Sequence, residues 1–319
     1  MKESSMEINK LLKSREKLFT NLSKVIIGKP DVIDFVIMTI ICKGHILIED
    51  IPGTGKTMLA KSLALSIDSK FSRIQFTPDM LPSDVTGVSF YNQVNQKLEF
   101  RKGPIFANIV LADEINRATP KTQSALLEGM EEKQITVDGF THELPSVFLV
   151  IATQNPIDYE GTFQLPEAQL DRFLIKIHIG YPDNNAEKEI MKAQNIDHPI
   201  NSITQVITKE EILFMQEEIK KVHVSEEIMQ YIIGIINATR ENDNIYLGAS
   251  PRGSLALYRL GQCRAAFNNR DYVIPDDIKQ VSFPVIAHRI IFQTSFRMHD
   301  NKYEEFIKEM VDHVNVPGG

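Results

Sequence analysis

The sequence predicts an α/β protein with a parallel sheet, followed by a smaller all-helical domain. Three observations predict it. Five short runs dense in Ile, Val, Leu and Phe alternate with amphipathic segments as far as about Tyr181. One of those runs leads straight into a glycine-rich stretch, GTGKT, and a helical pattern follows. Near GYPDNNAEKE a turn-rich linker gives way to long segments of helical spacing. The expected units are residues 1–181 and 182–319.

The β-rich runs are HILIE, FSRIQFT, ANIVLAD, SVFLVIAT and FLIKIHIG. They show little polar alternation, as strands buried on both faces of a parallel sheet do. KTMLAKSLALSI and PKTQSALLEGMEEK between them have helical spacing. Two segments break the rhythm and read as inserted β-hairpins, residues 85–104 around a polar centre and residues 133–147 with DG as the turn. Phe90, Tyr91, Leu98 and Phe100 in the first hairpin are read as core, with contact to a client as the alternative. The later helices are KEEILFMQEEIKKV, SEEIMQYIIGIINATREN, SPRGSLALYRLGQCRAAFNN and PDDIKQVSFPVIAHRI. SEE and PDD put acidic residues in a first turn, where the helix dipole favours them.

The 319 residues are 43% apolar and 24% charged, the balance of a globular chain. A formal charge of −7 and a pI near 5.7 oppose nucleic-acid gripping as the main task. Cys42 and Cys263, far apart in sequence, give no disulfide framework and no zinc spacing, which suggests a reducing compartment. The N-terminus lacks a signal-like apolar core, and the longest apolar run, VIDFVIMTIIC, is too short to span a bilayer. A soluble, cytoplasmic protein is expected.

GTGKT, Gly53 to Thr57, follows a strand and opens a helix, as a phosphate-binding loop does. Gly53 and Gly55 let backbone N–H groups close around phosphate oxygens. Lys56 would reach the outer phosphates, and the Thr57 hydroxyl would ligand Mg²⁺. Pro52, Thr54 and Met58 complete the expected nucleotide contacts. The pattern G-x-x-x-x-G-K-[ST] asks for glycine where this chain has Asp50. A carboxylate aimed at phosphate from ~8 Å would cost about 2 kcal/mol at an effective dielectric of 20. Its carboxylate is therefore expected to point away and bond nearby backbone. Asp113 and Glu114 end the strand NIVLAD, where the first would orient water on Mg²⁺ and the second would polarise the attacking water. Asn155, ending VIATQN, would touch the γ-phosphate and that water. Arg172 in LPEAQLDRF and Arg252 in GASPRGSLAL are cations of the kind that meet charge on a moving phosphoryl group.

The order GTGKT, VLADE, TQN, DRF, SPR resembles the AAA+ ATPases, and within their helix-2 insert branch the MoxR family. Long runs carry the resemblance, among them IQFTPDMLPSDVTG, KGPIFANIVLADEINRATPKTQSALLEGMEEKQITVDG, VIATQNPIDYEGTFQLPEAQLDRF and LGASPRGSLAL. It extends from KVIIGKPDVID to NNRDYVIPDDIKQV, nearly the whole chain. The resemblance implies a P-loop αβα sandwich with a helical lid. It makes Lys56 and Thr57 part of Walker A, Asp113 and Glu114 part of Walker B, and Asn155 sensor 1. It implies that Arg172 is an arginine finger acting on ATP of the adjacent subunit. Arg252 becomes sensor 2, bringing the lid onto the nucleotide, and Ile26, Ile27 and Gly28 become base contacts. It also implies ATP and Mg²⁺ as cofactors, a homo-oligomeric ring, a hexamer by analogy, and chaperone-like maturation or metal-centre assembly. A partner with a von Willebrand factor A domain often accompanies such a ring.

Two other readings differ in class. A nucleic-acid motor would need a more basic insert than Lys97, Arg101 and Lys102 provide, and a salt-dependent DNA shift would favour it. A nucleotide-gated scaffold with negligible turnover conflicts with the intact Asp113–Glu114 pair.

Overall fold

The computed structural model describes residues 2–156, 161–294 and 300–316; Ile157 to Glu160, inside one of the matching runs, lie outside the described residues. Two helices precede the sheet, α1 (Lys2–Ser23) and α2 (Pro30–Ile41). The second is the apolar run VIDFVIMTIIC, and Asp34 on it pairs with Arg15 of α1. There follow β1 (Ile46–Glu49), α3 (Lys56–Ser66), β2 (Phe71–Gln75), α4 (Pro82–Thr86), β3 (Gly87–Asn92), β4 (Lys97–Lys102) and β5 (Ile109–Asp113). Then come α5 (Pro120–Glu132), β6 (Gln134–Val137), β7 (Phe140–Glu143), β8 (Leu149–Gln154), α6 (Glu167–Leu170) and β9 (Ile175–Ile177).

The five β-rich runs form one sheet in the order β2-β5-β8-β1-β9, with every pairing parallel. Their lack of polar alternation has a direct cause. Ile46, Ile48, Ile109, Leu111, Leu149 and Ile151 pack into one apolar cluster, while Leu47, Val110, Ala112, Val150 and Ala152 pack into a second. Alternate residues of the three inner strands, β5, β8 and β1, therefore enter opposite cores, whereas the edge strands β2 and β9 keep Arg73, Gln75 and Lys176 out of both. The register sets the site. Glu49 pairs with Gln154, so Asn155 follows level with Asp50, and the adjacent β5 ends in Asp113.

Both inserted hairpins form. β6 and β7 turn at Asp138 and Gly139, both with positive φ (51° and 80°), the twist a two-residue hairpin requires. β3 and β4 pair from Gly87↔Lys102 to Asn92↔Lys97. The core reading holds for Phe100, which packs on the second cluster and stacks on His142 of the other hairpin. It fails for Phe90, Tyr91 and Leu98, which are exposed because only the base of the hairpin reaches the core.

The linker near Gly180 is short, since Asp183 caps α7 (Asn184–Ile196) by accepting from the Asn185 and Ala186 N–H groups. α8 (Lys209–Glu218) opens with a Thr208/Glu211 capping box, and α9 (Glu226–Glu241) with Ser225 as cap. The remaining elements are β10 (Ile245–Leu247), α10 (Pro251–Phe267), α11 (Pro275–Ile286), β11 (Ile291–Phe292) and α12 (Asp300–Asp312). This part is not all-helical. β10 and β11 make a small antiparallel pair, which brings the start of α10 and the end of α11 together. The first apolar cluster runs unbroken from the sheet through α1 and α2 into α8 to α11. Within it Cys42 and Cys263, distant in sequence, meet as buried free thiols, and burial pushes the Cys263 thiol well up. No helix among the described residues is long and apolar enough to cross a membrane.

His45 locks the start of β1. Its Nδ1 accepts from Val150 N at 3.0 Å, so Nε2 carries the proton and donates to Met130 O at 3.1 Å. Burial of this neutral ring lowers its pKa from 6.5 to about 4. The unfolded chain binds more protons between those values, so the contribution is complete above pH 6.5 and disappears as pH falls toward 4. The loss amounts to about 3 kcal/mol. Thermal midpoints are expected to fall across that window, and more gently in His45→Gln. Equal slopes in the two proteins would show that His45 titrates as an exposed histidine does.

Candidate functional site

The loop after β1 wraps the N-terminus of α3. Gly53 and Gly55 both have φ of 89°, and a Cβ at either would meet no atom within 4 Å. Backbone conformation, rather than space, demands glycine there. The loop borders a cleft of about 370 Å³ that also reaches Pro52, Thr57, Met58, Asp113, Glu114 and Asn155. Thr54 faces the loop itself, its hydroxyl donating to Ile51 O at 3.4 Å. Lys56 Nζ donates to Asp50 O at 2.9 Å and Ile51 O at 2.7 Å. Burial lowers its pKa, against the pull of the Asp50, Asp113 and Glu114 carboxylates.

Asp50 is buried, and its carboxylate turns away from the loop glycines. Oδ1 accepts from Ile51 N at 2.9 Å, and Oδ2 accepts from Ile179 N at 3.0 Å and Gly180 N at 2.8 Å. Three backbone donors satisfy the charge. The residue that departs from the loop pattern thus clamps the chain leaving β9 onto the phosphate loop.

Asp113 and Glu114 converge on the same cleft. Thr153 Oγ1 donates to Asp113 Oδ1 at 2.7 Å and accepts from Glu114 N at 2.8 Å. Glu114 takes φ 56°, a left-handed turn directly after β5 that swings its side chain off the strand axis. Its Oε2 accepts from Gln75 Nε2 at 2.6 Å, and Arg117 Nε lies 3.2 Å away. The donors facing the cleft are a hydroxyl, Thr57, and carboxylates. Hard oxygen ligands of this kind fit Mg²⁺ shared with phosphate oxygens.

Residues 45–175 match the ATPase family associated with various cellular activities (AAA), and residues 237–310 match the AAA lid domain. YeaC of Bacillus subtilis, a protein of uncharacterised function, is 48% identical over 301 residues, 94% of each chain. Chaperone MoxR1 of Mycobacterium tuberculosis is 36% identical over 311 residues, 95% of this chain and 82% of that one. The chain belongs to the MoxR family of AAA+ ATPases. A crystal structure of a protein provisionally named an ATPase, from Cytophaga hutchinsonii, superposes on this MoxR-family chain with a TM-score of 0.87. That protein is 41% identical over 97% of both chains.

In this MoxR-family protein the two arginines singled out from the sequence sit together, away from the phosphate loop. Arg172 Nε lies 3.1 Å from Glu131 Oε2, a charge contact without hydrogen-bond alignment, and Arg252 Nη2 bonds the other oxygen of Glu131. Both line a larger cleft of about 500 Å³ that also reaches His45, at the start of β1. The phosphate loop leaves the far end of β1, about 15 Å away along the strand at its usual rise. Arg252 thus stands at Glu131, and α10, which carries it, is anchored there by its cap Ser250, which donates to Asp171 Oδ2 at 2.7 Å. Arg289, fully buried, reinforces that anchor by donating to Asp171 Oδ1 at 2.9 Å and to Phe173 O at 2.6 Å.

Ile26, Ile27 and Gly28 form the turn between α1 and α2, beside their own cleft of about 400 Å³. Gly28 has φ 76°, and a Cβ there would lie 2.6 Å from Ala186 Cβ, so both conformation and contact require glycine. Lys29 Nζ donates to Tyr181 O at 2.8 Å, next to the Gly180 that Asp50 holds. Segment 179–181 therefore connects this turn to the phosphate loop. Residues that sequence reasoning missed include Arg73, Gln75, Thr153, Asp171 and Arg289. Arg73 and Gln75 left one signal, two polar side chains at period two on either side of the buried Ile74.

Proposed function

We propose that this chain hydrolyses ATP at sites shared between neighbouring copies in a ring, and uses the cycle to remodel protein partners. The observation that carries the reading is the separation of Arg172 and Arg252 from the phosphate loop by the length of β1. Because these cations line a different cleft from the loop of their own chain, the loop of a second copy is the one they would serve.

In this reading Gly53, Gly55 and the start of α3 cradle the phosphates, and the turn at Ile26 to Gly28 holds the base. Lys56 exchanges its two carbonyl partners for phosphate oxygens, a charge-assisted and stronger bond. Mg²⁺, held through Thr57 and Asp113, would neutralise phosphate charge. Glu114 polarises the attacking water and Asn155 aligns it. Arg172 and Arg252 leave Glu131 for the charge on a neighbour's phosphoryl group. The segment after Tyr181 serves as the lid, and Asp171, bonded from Ser250 and Arg289, links lid position to the finger. The chaperone name of the Mycobacterium tuberculosis relative and the exposed Phe90, Tyr91, Val94, Leu98 and Phe140 on the two hairpins support a protein client. Metal-centre maturation, a hexameric ring and a von Willebrand factor A partner rest on the family resemblance.

Turnover per chain, followed over a wide range of protein concentration, tests the reading. It is expected to rise as copies associate and then to level off. Measurable turnover that stays constant down to the most dilute monomer would remove the shared site.

A further inference from the structure

Asp113 and Glu114 are tied to one another by side chains of β2, and a single guanidinium makes the tie. Arg73 donates to Asp113 Oδ2 from Nε at 3.2 Å and from Nη2 at 2.7 Å. The same Nη2 donates to Gln75 Oε1 at 2.9 Å. That bond decides which way round the Gln75 amide lies, with its oxygen toward Arg73 and its NH₂ group toward Glu114 Oε2. The parallel register, Arg73 beside Leu111 and Gln75 beside Asp113, puts all three side chains on one face of the sheet.

An ion pair on an edge strand ordinarily contributes little and means little. Two features separate this one. Its carboxylate is only 13% exposed and is the strand-end acid of the cleft. Its guanidinium also orients the amide that holds the neighbouring acid, which a lone surface pair does not do.

We propose that Arg73 is a positioning residue that occupies Asp113 in competition with a divalent cation and, while it does so, keeps Glu114 held through Gln75. This rests on the ATP-site reading above and names a control within it. A guanidinium and a divalent cation with its water require the same carboxylate oxygen. When Arg73 gives up Asp113, it loses the geometry that also fixes Gln75 Oε1. The amide is then free to turn, and Glu114 loses its Gln75 donor and keeps only its ion pair with the half-exposed Arg117, which leaves it more available to water. Readying the metal side and releasing the base are thereby one event, which disfavours a free base in a site lacking its cation.

The test needs no turnover. Binding of a fluorescent ADP analogue is titrated with Mg²⁺ in the full-length protein and in Arg73→Gln, Arg73→Lys, Gln75→Ala and the Arg73→Gln/Gln75→Ala double variant. Arg73→Gln is expected to lower the Mg²⁺ midpoint by roughly fivefold, the scale of a lost half-exposed ion pair. Arg73→Lys keeps the competing charge and should stay near the parent. Gln75→Ala should shift the midpoint in the same direction by less, and the double variant should match Arg73→Gln instead of adding to it. Nucleotide bound by parent and Arg73→Gln with one common midpoint would overturn the proposal while leaving the ATP site intact. Additive shifts would overturn the link through Gln75. Failure of the parent to bind the analogue at any Mg²⁺ concentration would overturn both readings.

Discussion

Arg172→Ala is expected to lower ATP turnover by on the order of 10³-fold, the scale of an arginine supplied in trans to a phosphoryl group. Lys56→Ala is expected to be inactive for a different reason, because its own loop no longer holds phosphate. The two defects lie on opposite sides of a shared interface, and that makes a sharper experiment than either alone. In an equal mixture, an intact loop from an Arg172→Ala chain meets an intact Arg172 from a Lys56→Ala neighbour. Random association gives this pairing at about a quarter of the interfaces, half multiplied by half, so activity should return to roughly that level. A mixture as inactive as its components would exclude Arg172 from action across the interface. The contact of Arg172 with Glu131 at 3.1 Å adds a control. Glu131→Gln should leave the arginine's charge in place and spare most of the turnover.

Glu114→Gln carries the second large effect. The substitution is nearly isosteric and leaves an oxygen that can accept from Gln75, so that bond survives while the base and its ion pair with Arg117 are lost. Turnover is expected to fall by about 10²–10⁴-fold, the range for removing a general base. Nucleotide affinity should hold, because the cradle is made by the loop backbone, Lys56 and Thr57. Equal losses of binding and turnover would mean that Glu114 shapes the cleft, and turnover within about tenfold of the parent would take it out of the chemistry altogether.

Much of the fold could be read from the chain because its signals are local. The three inner runs lack alternation since each of those strands has a core on both faces, and that is written residue by residue. Asp138-Gly139 announces its turn by the positive φ both positions need. GTGKT between a strand and a helix, and two acids closing the next buried strand, announce the cleft by composition and order. The hairpin aromatics were not legible in this way. Apolar character is the same at Phe90 and Phe100, and only the distance of each from the hairpin base separates exposed from buried.

Sequence by itself determined which segments form the parallel sheet and the two hairpins, and which acids close the strand beside the GTGKT loop, because period, turn chemistry and spacing act between near neighbours. Tertiary structure alone decided the strand order that sets Asn155 level with Asp50 and the three amides that quiet the Asp50 carboxylate. It also decided the meeting of Cys42 with Cys263 and the gathering of Arg172 and Arg252 at Glu131. The bond from Arg73 to Asp113 spans forty positions, and that from Arg252 to Glu131 spans 121. Contacts of that reach are fixed by how layers stack and chains cross over, which no local pattern encodes.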